Sequence, residues 1–495
     1  MSLDLIALLP FIVLAVAAAV VMLAVAYFRS HALTVGLTLL GLLVAFAMLP
    51  LVPLARERQA TALLLVDDFA LFYTGLLLAA GFAVAALSYA YFDGREADPG
   101  SYYVLLLLAT LGASVLAAST HFASFFLGLE LLSVSLYAMI AFTRDREVSV
   151  EAGVKYLILA GASSAFLLFG MALVYADLGA LALPDLAAAL AADEPAASIL
   201  SLAGLSVLVV GVGFKLAVVP FHLWTPDVYQ GAPAPTTAFI ATVSKGGVFA
   251  VLLRFFTQID VQRFLSLFAV FAIIAIASMF AGNLLALLQS NVKRILAYSS
   301  ISHLGYLLVA FLAGGTLAVT AGTFYLVAYV ATTLGAFGVV SALSTAERDM
   351  DRLEDYRGLF WRRRWLAVAF TAMLLSLAGI PLTAGFIGKF YLALAGIGAA
   401  GGGLAAPMWA LVLSLALASV IGLYYYLRVA AALYRRPEGA PAPAGAARGP
   451  TVGDGVLLAA LTVALLALGV FPVPLIDLIQ TTAGTLVQAA RGPGV

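Results

Sequence analysis

Apolar stretches of roughly 18 to 25 residues follow one another from end to end of the chain, parted by short segments that hold most of its charge. At ~1.5 Å of rise per residue, each stretch is long enough as a helix to cross a hydrocarbon core of ~30 Å. About fourteen spans are predicted, beginning near Leu5, His31, Phe69, Tyr102, Phe122, Val154, Ile199, Pro235, Phe264, Ile295, Leu317, Leu366, Pro407 and Gly455. The fold class is therefore all-α, a polytopic bundle of membrane helices making one integral membrane domain over residues 1–495. The first span has Asp4 and no basic residue ahead of it, and its apolar run continues to Tyr27. It is expected to remain as a membrane helix and not to be a cleaved secretory signal.

Three polar interruptions are longer than a simple turn: Gly179 to Ser198 with Pro184, Asp185, Asp193 and Glu194; the charged Ser344 to Arg364; and a Pro/Ala/Gly-rich linker, Pro437 to Pro450. The first reads as a loop with a short amphipathic turn, and none is long enough for a domain. More informative are two places where proline and glycine break an apolar helix in mid-membrane. One is Val218 to Pro235, VVPFHLWTPDVYQGAPAP, with four prolines; the other is Ala378 to Lys389, AGIPLTAGFIGK. Irregular backbone survives at that depth only where its freed N–H and C=O groups are buried in protein or line a hydrated cavity. A pair of broken helices, each near a lysine, suggests two related halves of about five helices, as in transporters built from internal repeats.

Composition agrees: 64% of residues are apolar, 10% charged, and the mean hydropathy is +1.11, so the solvent of this chain is lipid. The basic residues set an orientation, since cytoplasmic loops carry the Lys/Arg excess. Arg29, Arg95, Arg144, Arg146, Lys155, Lys293, Arg294, Arg348, Arg352, Arg357, Arg362, Arg363, Arg364, Arg435, Arg436 and Arg448 fall on one side, and little beyond Arg56, Arg58, Arg263 and Arg491 on the other. With an even number of spans, both termini are expected on the periplasmic side of a bacterial inner membrane. There is no cysteine to hold an iron–sulfur cluster, the four histidines are scattered, and no dinucleotide fingerprint, phosphate loop or nucleophile elbow is present. No cofactor or metal is expected in this chain.

Only five of the 25 basic residues are lysines, and three of those, Lys215, Lys245 and Lys389, lie inside apolar spans. A guanidinium does not release its proton in a protein, whereas burial lets an ammonium cycle between charged and neutral forms. Lys245 comes ten residues after Pro235, about 15 Å along a helix and too deep to reach either surface. Such a residue reads as a functional site facing a hydrated interior, with a structural lysine on a backbone carbonyl as the alternative. Glu130, eight residues into its span, is the one mid-membrane carboxylate and needs a cation; Lys215, just before the first break, is the natural partner. The pair is expected either to switch, releasing a proton when the carboxylate withdraws, or simply to fix helix packing. Lys389 reads as a terminal relay, or as a lysine snorkelling at a helix end.

His222 lies in the first break beside Trp224 and Asp227 and could relay protons between Lys215 and Lys245, or cap freed backbone. His303, among Ser299, Ser300 and Ser302, could support a central water chain. His31 and His121 are placed at helix ends as surface residues, and Tyr424, Tyr425 and Tyr426 as a packing or interfacial belt.

Four stretches carry a resemblance: GLELLSVSLYAM around Glu130, VPFHLWTPDVYQGAPAPTTAFIATVSKG from Val219 to Gly246, NVKRILAYSSISHLGYL from Asn291 to Leu307, and GIPLTAGFIGKFY from Gly379 to Tyr391. In order, from about Tyr102 to Tyr434, they resemble the antiporter-like membrane subunits of bacterial respiratory complex I, the NADH-quinone oxidoreductase, and among these the subunit N group. The DVYQGAP wording and a lysine, not a glutamate, at Lys389 set that group apart. The resemblance implies two inverted five-helix repeats, about 102–256 and 264–434, with the broken helices at their cores. It implies that Glu130 and Lys215 form the family's ion pair, Lys245 its central lysine and Lys389 the lysine of the second half-channel. It also implies a parent complex using NADH, FMN, iron–sulfur clusters and quinone, with other membrane subunits as partners, and a proton relay driven by quinone reduction elsewhere. A stand-alone or Mrp-type cation/proton antiporter and a passive scaffold are the rival readings.

Overall fold

In the computed structural model, the described residues are 3–55, 58–96, 98–192, 198–259, 261–345, 347–401, 404–436 and 451–491. The Pro437–Pro450 linker with Arg448, and Arg56, Asp193 and Glu194, lie outside them.

The chain opens with α1 (Leu3–Ala7), α2 (Leu9–Tyr27) and α3 (His31–Met48). A two-stranded hairpin, β1 (Arg58–Thr61) and β2 (Leu64–Val66), leads into α4 (Asp68–Phe92), α5 (Gly100–Ala118), α6 (Phe122–Ile140) and α7 (Glu147–Leu178). The Gly179–Ser198 interruption contains a ten-residue helix, α8 (Leu183–Ala192), where a single turn was expected. Then come α9 (Ile199–Leu216), α10 (Trp224–Gly231), α11 (Ala234–Phe239), a π-helical turn over Ile240–Ser244 and α12 (Lys245–Gln258). They are followed by α13 (Leu265–Leu287), α14 (Val292–Ala313), α15 (Gly315–Leu343), the one-turn α16 (Leu359–Arg362), α17 (Arg364–Ala378), α18 (Ala384–Gly398), α19 (Ala405–Tyr434), α20 (Val452–Val470) and α21 (Val473–Arg491).

Thirteen of the described spans are long and apolar enough to cross a membrane. The fourteenth predicted span is the broken pair α17 and α18, 15 residues each. Two elements have no counterpart in the hydrophobic pattern, the β-hairpin and α21. In α21 the residues Ile476, Ile479, Ala483 and Leu486 are buried while Leu478 is exposed, a helix with one apolar face against the bundle. The hairpin and the start of α8 meet at the α5–α6 turn, where Leu64 bridges Ser119 and His121 bridges Ala182.

The spans differ sharply in depth. α11–α12, α14 and α15 have 94, 94 and 89% of their apolar windows buried, against 28 to 67% for the other spans. These are the helices that carry Lys245, His303 and the tyrosines between them. Their close approach depends on small residues: a Cβ on Gly247 would lie 2.9 Å from the Ala113 carbonyl, so only glycine lets α12 seat against α5. In the same way a Cβ on Gly112 would come within 2.7 Å of the Gly128 carbonyl, which locks α5 to the helix bearing Glu130.

Candidate functional site

Lys245 is 1% exposed. It begins α12 directly after the π turn, where one extra residue per turn widens the helix. Its ammonium donates to Ser300 Oγ at 2.6 Å, and that hydroxyl is also 2.6 Å from Tyr329 OH and 3.4 Å from Tyr229 OH. One turn further along α14, His303 Nδ1 is 2.6 Å from Tyr325 OH and its Nε2 is 3.0 Å from Tyr426 OH, which also bonds Ser299. The His303 ring lies 5.4 Å from the rings of both Tyr329 and Tyr306, and Lys389 Nζ is 5.1 Å from the Tyr306 ring. A row of polar side chains, joined by hydrogen bonds at its start and by ring contacts beyond, thus runs from Lys245 through Ser300, Tyr329 and His303 to Tyr306 and Lys389. Hydroxyls and imidazoles both donate and accept, so such a line can pass a proton where gaps are filled by water.

Of the packing or interfacial belt expected of Tyr424, Tyr425 and Tyr426, Tyr425 and Tyr426 take the packed position, where they join this line. Both are buried: Tyr425 OH donates to Asn283 Oδ1 at 3.0 Å, Asn283 Nδ2 donates to Tyr306 OH at 3.0 Å, and only Tyr424 faces outward. Successive residues of a helix point about 100° apart, so three adjacent tyrosines cannot share one environment.

Glu130 and Lys215 are not in direct contact. The Lys215 ammonium donates to Ser133 Oγ at 2.7 Å, while the half-buried Glu130 accepts from Ser164 of α7. They still act on one another electrostatically, so each charge has a hydroxyl to hold it while the pair is apart. Lys215 Nζ lies 6.0 Å from the Tyr156 ring and Lys245 Nζ 5.5 Å from the Tyr229 ring. His222 is buried in the first break with Nδ1 lacking a hydrogen-bond partner, and no hydrogen bond joins it to either lysine.

Lys389 is buried and donates to the carbonyls of Leu377 and Ala378, at 3.0 and 3.1 Å, the last residues of α17. His31 and His121 do stand at helix starts, but both are half-buried: His31 Nε2 is 2.9 Å from Tyr103 OH, and His121 Nδ1 accepts from Ala123 N to cap α6.

A fourth lysine was counted among the loop cations and is instead wholly buried. Lys293 Nζ is 2.8 Å from Asp349 Oδ2, and neither side chain is more than 1% exposed. Asp349 lies in the 344–358 loop, outside the spans. Burial alone would raise its carboxyl, but Lys293 and Arg146 outweigh that and hold it at about 2. Its ionisation therefore adds stability above the usual value of 3.8, lost only as pH falls through about 2. Among the described residues no group of three or more His, Cys, Asp or Glu comes together as a metal site would require.

The sequence family described as NADH:quinone oxidoreductase/Mrp antiporter, TM matches residues 119–422. A Methylococcus capsulatus protein named NADH-quinone oxidoreductase subunit N is 50% identical over 477 residues, covering 95% of this chain and 94% of its own. The protein of the same name from Nitrosospira multiformis is 52% identical over 498 residues, covering 98% of this chain and 97% of its own. A chain in the structure of respiratory complex I from Thermus thermophilus with bound aureothin has a TM-score of 0.79 at 33% identity, covering 94% of this chain and 98% of that one. A chain of the Mrp complex from Dietzia sp. DQ12-45-1b has a TM-score of 0.83 at 23% identity over 99% of this chain and 100% of that one, a likeness of fold alone.

Proposed function

This chain belongs to the NADH:quinone oxidoreductase/Mrp antiporter membrane family, and from that premise we propose that it works as subunit N of a bacterial NADH-quinone oxidoreductase, translocating protons across the inner membrane. The redox groups implied for the enzyme, FMN, iron–sulfur clusters and quinone, belong to other subunits, and this chain's partners are the neighbouring membrane subunits. The observation that carries the reading is Lys245, an ammonium at 1% exposure whose partner is a neutral hydroxyl 2.6 Å away and not a carboxylate. An ammonium kept out of water with no counter-ion against it can give up its proton, as a carrier requires.

The relay we assign begins at Glu130 and Lys215. Quinone reduction elsewhere changes the separation of the two charges, Lys215 and Lys245 exchange protons by way of intervening water, and His303 with its tyrosines connects Lys245 to Lys389. His222 is buried close to the first break and is the candidate for the Lys215 to Lys245 step. The two broken helices stand at the cores of two repeats, about 102–256 and 264–434, related by inversion. The arginine-rich loops face the cytoplasm and both termini the periplasm, because the excess of basic residues lies on that one side.

The test is NADH-driven proton uptake in membranes carrying Lys245→Met, with NADH-quinone turnover and assembly measured in parallel. Loss of pumping and of coupled turnover in an assembled complex is the expected result. Normal values of both would leave the chain a passive scaffold.

A further inference from the structure

The relay leaves one buried lysine unused. Lys293 stands at the start of α14, seven residues and two turns before Ser300, on the stripe that leads to Lys245. Its ammonium makes two contacts at once: 2.8 Å to Asp349 Oδ2 and 2.6 Å to the carbonyl of Ala232. Ala232 caps α10 inside the first break, three residues after Tyr229, whose hydroxyl reaches Ser300. Lys293 therefore ties the end of the broken helix to the arginine-rich side of the bundle.

Asp349 is held on every side. Its Oδ1 accepts from Tyr91 OH at 2.7 Å and lies 3.5 Å from Arg146 and 4.0 Å from Arg95. Its loop is laced to the start of α14: Asn291 pairs with Arg352 as an isolated bridge, Leu353 N donates to Ser290 O at 3.0 Å, and Asn291 Nδ2 donates to Asp351 Oδ2 at 2.6 Å. Asp351, two residues along the loop, is thus already engaged. Four elements converge here: the end of α4, the α6–α7 turn, the start of α14 and the 344–358 loop.

Within contact distance the cluster sets three cations, Lys293, Arg95 and Arg146, against one carboxylate.

We propose that Lys293 and Asp349 form the access gate between the arginine-rich loops and Lys245, and that the structure holds it closed. When the Lys293–Asp349 contact parts, the Ala232 carbonyl is released, the α10–α11 junction loosens, and a proton from the loop side reaches Tyr229, Ser300 and Lys245. The proposal rests on Lys245 being a proton carrier, yet the two ideas fail in different ways: losing the carrier blocks the path, whereas losing the gate opens it.

The experiment uses the assembled enzyme in sealed vesicles, measuring NADH-quinone turnover, protons taken up per NADH, and passive proton conductance under an imposed gradient without NADH. Lys293→Met and Asp349→Asn are expected to keep turnover, lower protons per NADH and raise the passive leak several-fold. Lys293→Arg, which keeps the charge and its donors, should stay tight. Adding Lys245→Met to a leaky variant should seal it again. Asp349→Asn leaves Lys293 buried without its counter-ion, whereas Lys293→Met leaves Asp349 to Arg95 and Arg146; the double variant Lys293→Met with Asp349→Asn removes both partners together and should leak as the single variants do. The milder Tyr91→Phe withdraws one hydrogen bond from Asp349 and should leak less than either. Assembled variants with unchanged conductance and unchanged protons per NADH would overturn the gate, and a leak that persists after Lys245→Met would overturn its route.

Discussion

The two helix breaks solve the same physical problem with different donors. Each opens with a helix ending in a left-handed residue, Ala217 at φ 61° after α9 and Gly379 at φ 83° after α17. Each therefore exposes carbonyls at membrane depth that need a partner. At the first break the donor is an indole: Trp224 Nε1 donates to the Phe214 carbonyl at 3.1 Å, leaving Lys215 free to bond Ser133. At the second the lysine caps the helix itself, with Lys389 on Leu377 and Ala378. A short return makes this possible. The Ser376 hydroxyl accepts from Gly385 N at 3.1 Å, and a Cβ on Gly385 would lie 2.0 Å from the Ser376 carbonyl, so α18 starts hard against the end of α17. Charge and scaffold are thus separate duties at Lys215 and a single duty at Lys389.

The difference predicts an order of damage. Lys389→Met should be the most harmful of the break variants, because it strands two buried carbonyls, each worth about 1–3 kcal/mol, as well as a proton carrier. Assembly yield and thermal stability of the complex should fall with pumping; an assembled, fully stable Lys389→Met complex would erase the distinction drawn here. Trp224→Phe should come next. The Phe214 carbonyl keeps the Ala217 amide at 3.0 Å but loses one hydrogen bond worth about 1 kcal/mol, which opens it to the neighbouring Lys215, and pumping should fall further than stability does. If pumping is untouched, the indole is not what frees Lys215. Smallest should be Ser133→Ala, which takes one neutral partner from Lys215 and worth about 1 kcal/mol. Its expected sign is a modest loss of proton uptake at unaltered assembly, and a loss as deep as that of Lys245→Met would mean that the hydroxyl is itself an obligatory step.

Both breaks and the three mid-span lysines, Lys215, Lys245 and Lys389, were legible beforehand, for one reason. In lipid a mid-span ammonium or a run of prolines violates a rule so strong that the violation marks a site. Lys293 escaped because it lies at the edge of its span, where lysines ordinarily mark topology; its burial depends on Asp349, 56 residues away. Glu130 and Lys215 were identified as partners on charge balance, which counts ions but not the hydroxyls able to hold them apart. Tyr425 and Tyr426 escaped because an aromatic run looks alike at an interface and in a polar core until the rotation of α19 is known.

What the sequence determined by itself is therefore whatever depends on the solvent: a helical bundle with thirteen described spans long and apolar enough to cross a membrane, its two breaks and the burial of Lys215, Lys245 and Lys389. Hydrocarbon acts on each residue separately, so a linear string suffices to read its effect. The tertiary structure alone decided which hydroxyl meets which ammonium, that a π turn precedes Lys245, that Lys389 caps a helix, and that a lysine from the start of α14 and an aspartate from a loop meet out of water. Hydrogen bonds act over about 3 Å and depend on angle, and among segments hundreds of residues apart only the packed chain brings such groups within reach.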